Sequence, residues 1–184
     1  MAKLIKEAGL KRAFKYFIFG LWDFVFQLLP YSPLRIFWLR LGGTHIGKNS
    51  FIDRIHFINL DRLGLSGLTL GQDCYLGPLV VLDLADKITL ENQVSISAKT
   101  IILTHHSVGL SDHPLLKHYP KKTHHTLVKQ GSVLGVGSII LPGITIGKNS
   151  LVAAGSVVRQ SVPNNVMVAG VPAQVKKKLN EKKS

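Results

Sequence analysis

Six of the chain's eight histidines fall between positions 105 and 125: His105, His106, His113, His118, His124 and His125. Histidine is the side chain best placed to take a proton from a hydroxyl near neutral pH, because its ordinary pKa lies there. One chemistry open to this cluster is therefore general-base activation of an alcohol. The other is metal ligation, since His113 and His118 stand five residues apart. Ligands need rigid support, and these two sit in a stretch with prolines, which argues against a metal site. His105 and His106 directly follow Thr104, where a regular pattern in the chain stops.

That pattern is a six-residue period, and it must supply the frame for the histidines. Aliphatic residues recur at Ile46, Ile52, Ile58; at Leu70, Leu76, Leu82; at Leu90, Ile96, Ile102; and at Val128, Leu134, Ile140, Ile146, Val152, Val158. The next position is often Gly, as at Gly47, Gly71, Gly135 and Gly147. The fourth position after each aliphatic is small or β-branched, and Cys74 falls in this class. A period of six fits neither an amphipathic helix nor a flat sheet. It fits a coil of three short flat faces, one hexad per face, with aliphatics stacked inward and Gly or Asn easing the corners. The period breaks around Ala85-Asp86 and over residues 103–127, so a His-rich loop leaves the coil there. Loops of that length in compact domains are commonly functional.

The pattern resembles the hexapeptide-repeat acyltransferases over about residues 43–175. Ile46-Gly-Lys-Asn-Ser, Ile140-Leu-Pro-Gly-Ile-Thr-Ile-Gly-Lys-Asn-Ser, Ala153-Ala-Gly-Ser-Val-Val and Ala169-Gly-Val-Pro-Ala carry the resemblance. It implies an all-β fold, a left-handed parallel β-helix, against the usual right-handed crossover. Pro33-Leu-Arg and Leu39-Arg-Leu-Gly resemble the lead-in of acetyltransferases of bacterial surface-polysaccharide synthesis. The implied reaction is direct transfer from acetyl-CoA to a sugar hydroxyl, without an acyl-enzyme and without a metal.

The resemblance favours His105 as base, with His106 the alternative. A register argument agrees, because His106 falls on the small inward position of its hexad. Asp83 is expected to orient the base or to bind the sugar, and a turn residue bonding its own backbone is an equal reading. Gly135, Val136, Ala154 and Gly155 match the stretch along which the family lays pantetheine. Val133 stands where some relatives carry Trp, and Gln174 where some carry Arg. Arg159, Lys176 and Lys177 are candidates for the CoA phosphates, or plain surface charge. The family implies a homotrimer with sites between subunits. Two rivals share the fold: a non-catalytic membrane scaffold, and a γ-carbonic-anhydrase-like zinc protein.

Charge separates the ends from the middle. The 184 residues carry 23 Lys plus Arg and 10 Asp plus Glu, net +13, with 46% hydrophobic residues. That apolar content excludes wholesale disorder. One cysteine excludes an intramolecular disulfide framework. Residues 1–40 have seven basic and two acidic side chains, net +5, and residues 174–184 have five and one, net +4. The repeat region holds the remaining +4, so no nucleic-acid partner is expected.

Residues 3–29 read as a helix with Leu10, Phe14, Phe17, Ile18, Leu21, Val25, Leu28 and Leu29 on one face, stopped by Pro30. Ser32 reads as a cap, Pro33 as the first helical position, and 34–41 as a second helix. The apolar run is short for a membrane span and lacks a signal-peptide cleavage site. It fits an amphipathic segment, 1–42, lying on an anionic membrane through residues 1–41, or a helical cap on the coil, and both can hold. The expected order is then 1–42, a β-helix domain 43–171, and a short basic C-terminal helix 172–184. The expected place is cytoplasmic, peripheral on the inner face of the cell membrane.

Overall fold

The computed structural model describes residues 10–107 and 113–179, with side chains from Ala13 onward. Helix α1 (Leu10–Leu28) and helix α2 (Ser32–Leu41) precede the coil. The expected helical residues 3–9 lie outside the described residues. α2 starts two residues earlier than 34, with Tyr31 in the cap position. The Ser32 hydroxyl does not cap it; that oxygen accepts the Ile52 amide at 2.8 Å and ties the helix to the coil.

From His45 on, short strands form three stacked parallel sheets. The first face stacks His45–Ile46, Leu68–Leu70, Ile88–Leu90, Thr126–Val128 and Thr145–Ile146. The second stacks Phe51–Ile52, Tyr75–Leu76, Ser95–Ile96, Val133–Leu134, Leu151–Val152 and Val166–Ala169. The third stacks His56–Ile58, Val81–Asp83, Ile101–Ile102, Ile139–Ile140 and Val157–Val158. Leu82, Ile102, Ile140 and Val158 pair in register up the third face and are all buried. Each aliphatic thus packs on its equivalents one coil away. That stacking replaces the two-layer core of an ordinary sheet protein.

The bend falls elsewhere than on the Gly that follows each aliphatic. Left-handed backbone occurs three residues after the aliphatic, at Asn49, Asp73, Gln93, Gly131, Asn149 and Asn165. Asn and Asp tolerate that conformation better than other side chains. The Gly one residue after the aliphatic serves close stacking. A Cβ on Gly135 would lie 2.6 Å from the Ala154 nitrogen and 2.8 Å from the Val152 oxygen on the next coil.

Three other expectations change. Ile58 is not an inward residue: Phe57 pairs with Leu82, and Ile58 pairs with Asp83 and is exposed. The corner between Asp53 and His56 is one residue short, so Ile55 fills the buried small-residue position. A further excursion occurs between Ile58 and Leu70: helix α3 (Leu60–Leu63), then a 3-10 turn. Its length makes the gap twelve residues, two whole periods, and so hides it from a count by six. Finally, the basic C-terminal helix is absent from 174–178. Gln174–Lys178 is a strand, antiparallel to Val166–Ala169. The last coil exposes unpaired amides and carbonyls, and a returning strand satisfies them. Residues 180–184 lie outside the described residues.

The helices cap the open first coil. Phe26 and Leu39 are fully buried, with Phe19, Trp22, Ile36 and Trp38 packed around them. Trp22 and Trp38 stack at 4.3 Å, and Phe26 meets Phe57 edge-on at 5.7 Å. Buried Arg35 bonds the carbonyls of Leu29 (3.0 Å) and Ile52 (3.3 Å) and the Asp53 carboxylate (3.3 Å). The cap reading of this segment therefore holds.

Candidate active site

The third face ends each of its passes at the same corner, and three of these ends meet. Asn59 follows the first pass, Asp83 ends the second, and Thr104-His105 follows the third. Asn59 adopts left-handed backbone, φ 60°, which brings its side chain to the coil above. Its amide donates to Asp83 Oδ1 at 2.7 Å. The other Asp83 oxygen accepts the Thr104 amide at 2.8 Å and faces His105 Nδ1 at 2.5 Å. The Thr104 hydroxyl donates to the Asp83 carbonyl at 2.6 Å and accepts the Asp86 amide at 3.0 Å.

Asp83 is 0% exposed. Burial by itself would raise its pKa, but the bonds from His105, the Thr104 amide and Asn59, with the nearby imidazole, outweigh it and hold the carboxyl below its ordinary value. A carboxylate on Nδ1 fixes the proton there and leaves Nε2 as the acceptor nitrogen. With Nδ1 protonated, the 3.4 Å approach of the Asn59 amide to Nδ1 joins two donors and is a contact rather than a bond. The His105 side chain is 23% exposed, and its Nε2 has no protein partner among the described residues. The arrangement can take a proton from a hydroxyl presented at Nε2.

Asp83 lies behind His105, where it can orient the imidazole, and its buried oxygens are engaged by the chain, including the Ala85 amide at 3.2 Å. The local-turn reading is also present in that Ala85 bond. His106 does not point inward as the period suggests. The coil ends at Thr104, which takes the buried position, and His106 is exposed. His105 and His106 pair antiparallel with Lys122–Thr123 and close the base of the loop. His106 and His124 lie ring to ring at 6.4 Å, and His125 bonds the Thr89 hydroxyl at 3.0 Å. His113 caps the 3-10 turn Pro114–Lys117, and His118 follows it. Among the described residues no three metal-ligating side chains gather. Residues 108–112 of the expected loop lie outside the described residues.

Gly135, Val136, Ala154 and Gly155 come together at the opposite edge of the third face. They occupy equivalent corners of successive coils, and the Gly155 amide donates to the Val136 carbonyl at 2.8 Å. Val136 is half exposed and Ala154 exposed, so this edge is open. The basic candidates are scattered. Arg159 follows the last pass of the third face, whereas Lys176 and Lys177 lie on the terminal strand of the second. Sequence reasoning missed Asn59. The signal was a polar residue among apolar neighbours at the same corner as Asp83, masked by the short corner before it.

Comparison with known proteins gives a consistent picture. Residues 125–160 match the family described as bacterial transferase hexapeptide (six repeats). The galactoside O-acetyltransferase of Lactococcus lactis is 34% identical over 140 residues, 75% of this chain and 64% of that protein. A protein of Escherichia coli provisionally named a lipopolysaccharide biosynthesis O-acetyl transferase is 28% identical over 147 residues, 76% of this chain and 74% of that protein. The chain spans about 64% of the Lactococcus relative and 38% of a serine acetyltransferase of Buchnera aphidicola. A hexapeptide-repeat acetyltransferase from Vibrio cholerae superposes with TM-score 0.79 at 23% identity, covering 98% of this chain and 100% of that one. A galactoside acetyltransferase solved with coenzyme A gives 0.76 at 21%, covering 98% and 91%. Residues 125–160 thus match the bacterial transferase hexapeptide repeat, and the six-residue period, the three parallel sheets and these superpositions give the chain the left-handed β-helix fold of the hexapeptide-repeat acetyltransferases it resembles.

Proposed function

We propose that the protein is an acetyl-CoA-dependent O-acetyltransferase acting on a sugar hydroxyl of a surface-polysaccharide or lipid-linked glycan precursor. The observation that carries this is the Asp83–His105 pair at 2.5 Å, with Nε2 left free to act as base. His105 takes the hydroxyl proton through Nε2 as the oxygen bonds to the thioester carbonyl carbon. The tetrahedral centre then collapses, the carbon–sulfur bond breaks, and the thiolate leaves as CoA with the proton from His105. The names of the galactoside relative and of the coenzyme A-bound neighbour support the acceptor class and the donor.

A homotrimer is part of this reading. In one chain His105 and the Gly135–Gly155 corner lie at opposite edges of the third face, so a site holding both joins two subunits. The exposed apolar face of α1 and the basic N-terminus support peripheral binding to the inner face of the cell membrane. The test is the His105→Ala protein. Turnover should fall by about 100-fold or more with trimer size unchanged, while His106→Ala should change it little. Turnover that survives the first substitution would refute the assignment.

A further inference from the structure

Helix α1 uses two opposite faces. Phe19, Trp22 and Phe26 turn toward the first coil and are packed there. Phe14, Phe17, Leu21, Phe24 and Leu28 are each more than half exposed. At about 100° per residue, the centres of the two groups lie on opposite sides of the helix. Phe37 on α2 is exposed to a similar degree. Soluble monomers rarely show so much contiguous apolar surface without a partner.

Charge selects the partner. Residues 1–40 carry seven basic and two acidic side chains. Arg35 is buried against Asp53, and the other six basic and two acidic side chains leave +4, so a second copy docked here would set like charge against like charge. An anionic bilayer complements both the charge and the aromatic side chains. Among the described residues no helix is long and apolar enough to cross a membrane, so the helix lies on the surface.

The same contacts fix the height of the base. Phe26 meets Phe57 at 5.7 Å, and the Gln27 amide donates to the Ile55 carbonyl at 2.8 Å. Asn59, two residues past Phe57, bonds Asp83. Coils stack at about 4.8 Å, and His105 leaves the third. It therefore stands about 10 Å above the first coil. Helix α1 adds a further thickness of about 10 Å. With the apolar face in the bilayer, Nε2 is roughly 20 Å from it, the height of the first sugars of a glycan that stands on a lipid phosphate.

We infer that the acceptor is a glycan anchored in the bilayer by its own lipid, and that the apolar face of α1 docks the enzyme on an anionic lipid surface beside it. This rests on the proposed acetyl transfer by His105. The full chain and a Phe17→Glu/Leu21→Glu protein are compared; both positions are exposed (69% and 56%) and leave the coil untouched. Vesicles of phosphatidylglycerol and phosphatidylcholine should sediment the first and not the second. With radiolabelled acetyl-CoA, cell membranes and the soluble fraction of the same cells supply the two acceptor pools. Label should enter solvent-extracted glycolipid and leave it with the glycan after mild acid, and should fall at least tenfold with the substituted protein. Label in water-soluble sugars at equal rates for both proteins would overturn the inference. So would substitutions that change subunit number and not vesicle binding, since the face would then bind a second copy. Vesicle binding without transfer to either pool would remove the acetyltransferase reading, and this acceptor with it.

Discussion

Asp83 keeps its charge because four donors surround its buried carboxylate: the Asn59 side chain, the Thr104 and Ala85 amides, and His105. A carboxylate whose folded pKa is depressed stabilises the fold fully above its unfolded pKa, here near 3.8. That contribution is lost as pH falls through the lower folded value. Thermal melts should therefore show a loss of stability on acidification below the ordinary carboxylate range. Asp83→Asn should weaken that acid limb and lower stability at neutral pH. It should also impair turnover, because an amide can present a donor to Nδ1 and no longer fixes its proton. Unaltered acid behaviour in Asp83→Asn would show that other carboxylates control the limb. The two candidate bases differ in surroundings rather than in type: His105 has a buried carboxylate behind it, and His106 faces solvent.

At the scale of elements, each hexad combines an inward aliphatic, a Gly where coils approach, and a left-handed residue where they turn. The Gly role is steric, and Gly135 tests it. Its missing Cβ would meet backbone atoms of the next coil at 2.6–2.9 Å, and backbone in a stacked ladder has little room to yield. Gly135→Ala should cost about 1–3 kcal/mol of stability, as overpacking does, measured by denaturant unfolding. A neutral result would mean that the coils separate more readily than their paired strands suggest. The terminal strand Gln174–Lys178 follows a related logic. It covers the edge of the last coil, and its three consecutive lysines make a poor template for further strand addition. Those lysines thus have a structural use independent of any phosphate.

The whole molecule is a prism with different chemistry at each end and edge. Its first coil is closed by helices whose outer face is apolar, and its last by a basic strand. His105, the proposed base, and the Gly135–Gly155 corner sit on opposite edges of one face, so the proposed site forms between subunits. Mixed assemblies test this. His105→Ala and Ala154→Trp chains should each be inactive as homotrimers, the second because a bulky side chain on an exposed corner blocks the donor track. Co-refolded together, they should regain activity at about one site in four, as random assembly of a heterologous ring gives. No recovery in confirmed mixed trimers would place both residues in one subunit's site.

Much of this was legible in the residues alone. Stacked aliphatics such as Leu134, Ile140 and Ile146 specify a coil, because only a turn of three flat six-residue faces puts all of them inside. The departure of the chain after Ile102, and a His at that departure, were equally plain. The apolar and basic character of the N-terminus was also explicit in local composition. Distance along the chain hid the rest. Asn59, Asp83 and His105 are neighbours only because three passes end at one corner, and the short corner before His56 and the hidden helix α3 shift the count that would align them. The C-terminal lysines favour a helix by composition, yet an open sheet edge beside them makes a strand. Local sequence determined the period, the breaks and the supply of reactive side chains. The tertiary structure decided which imidazole has a carboxylate behind it and which face of α1 is left for a partner, because both depend on packing between residues far apart in the chain.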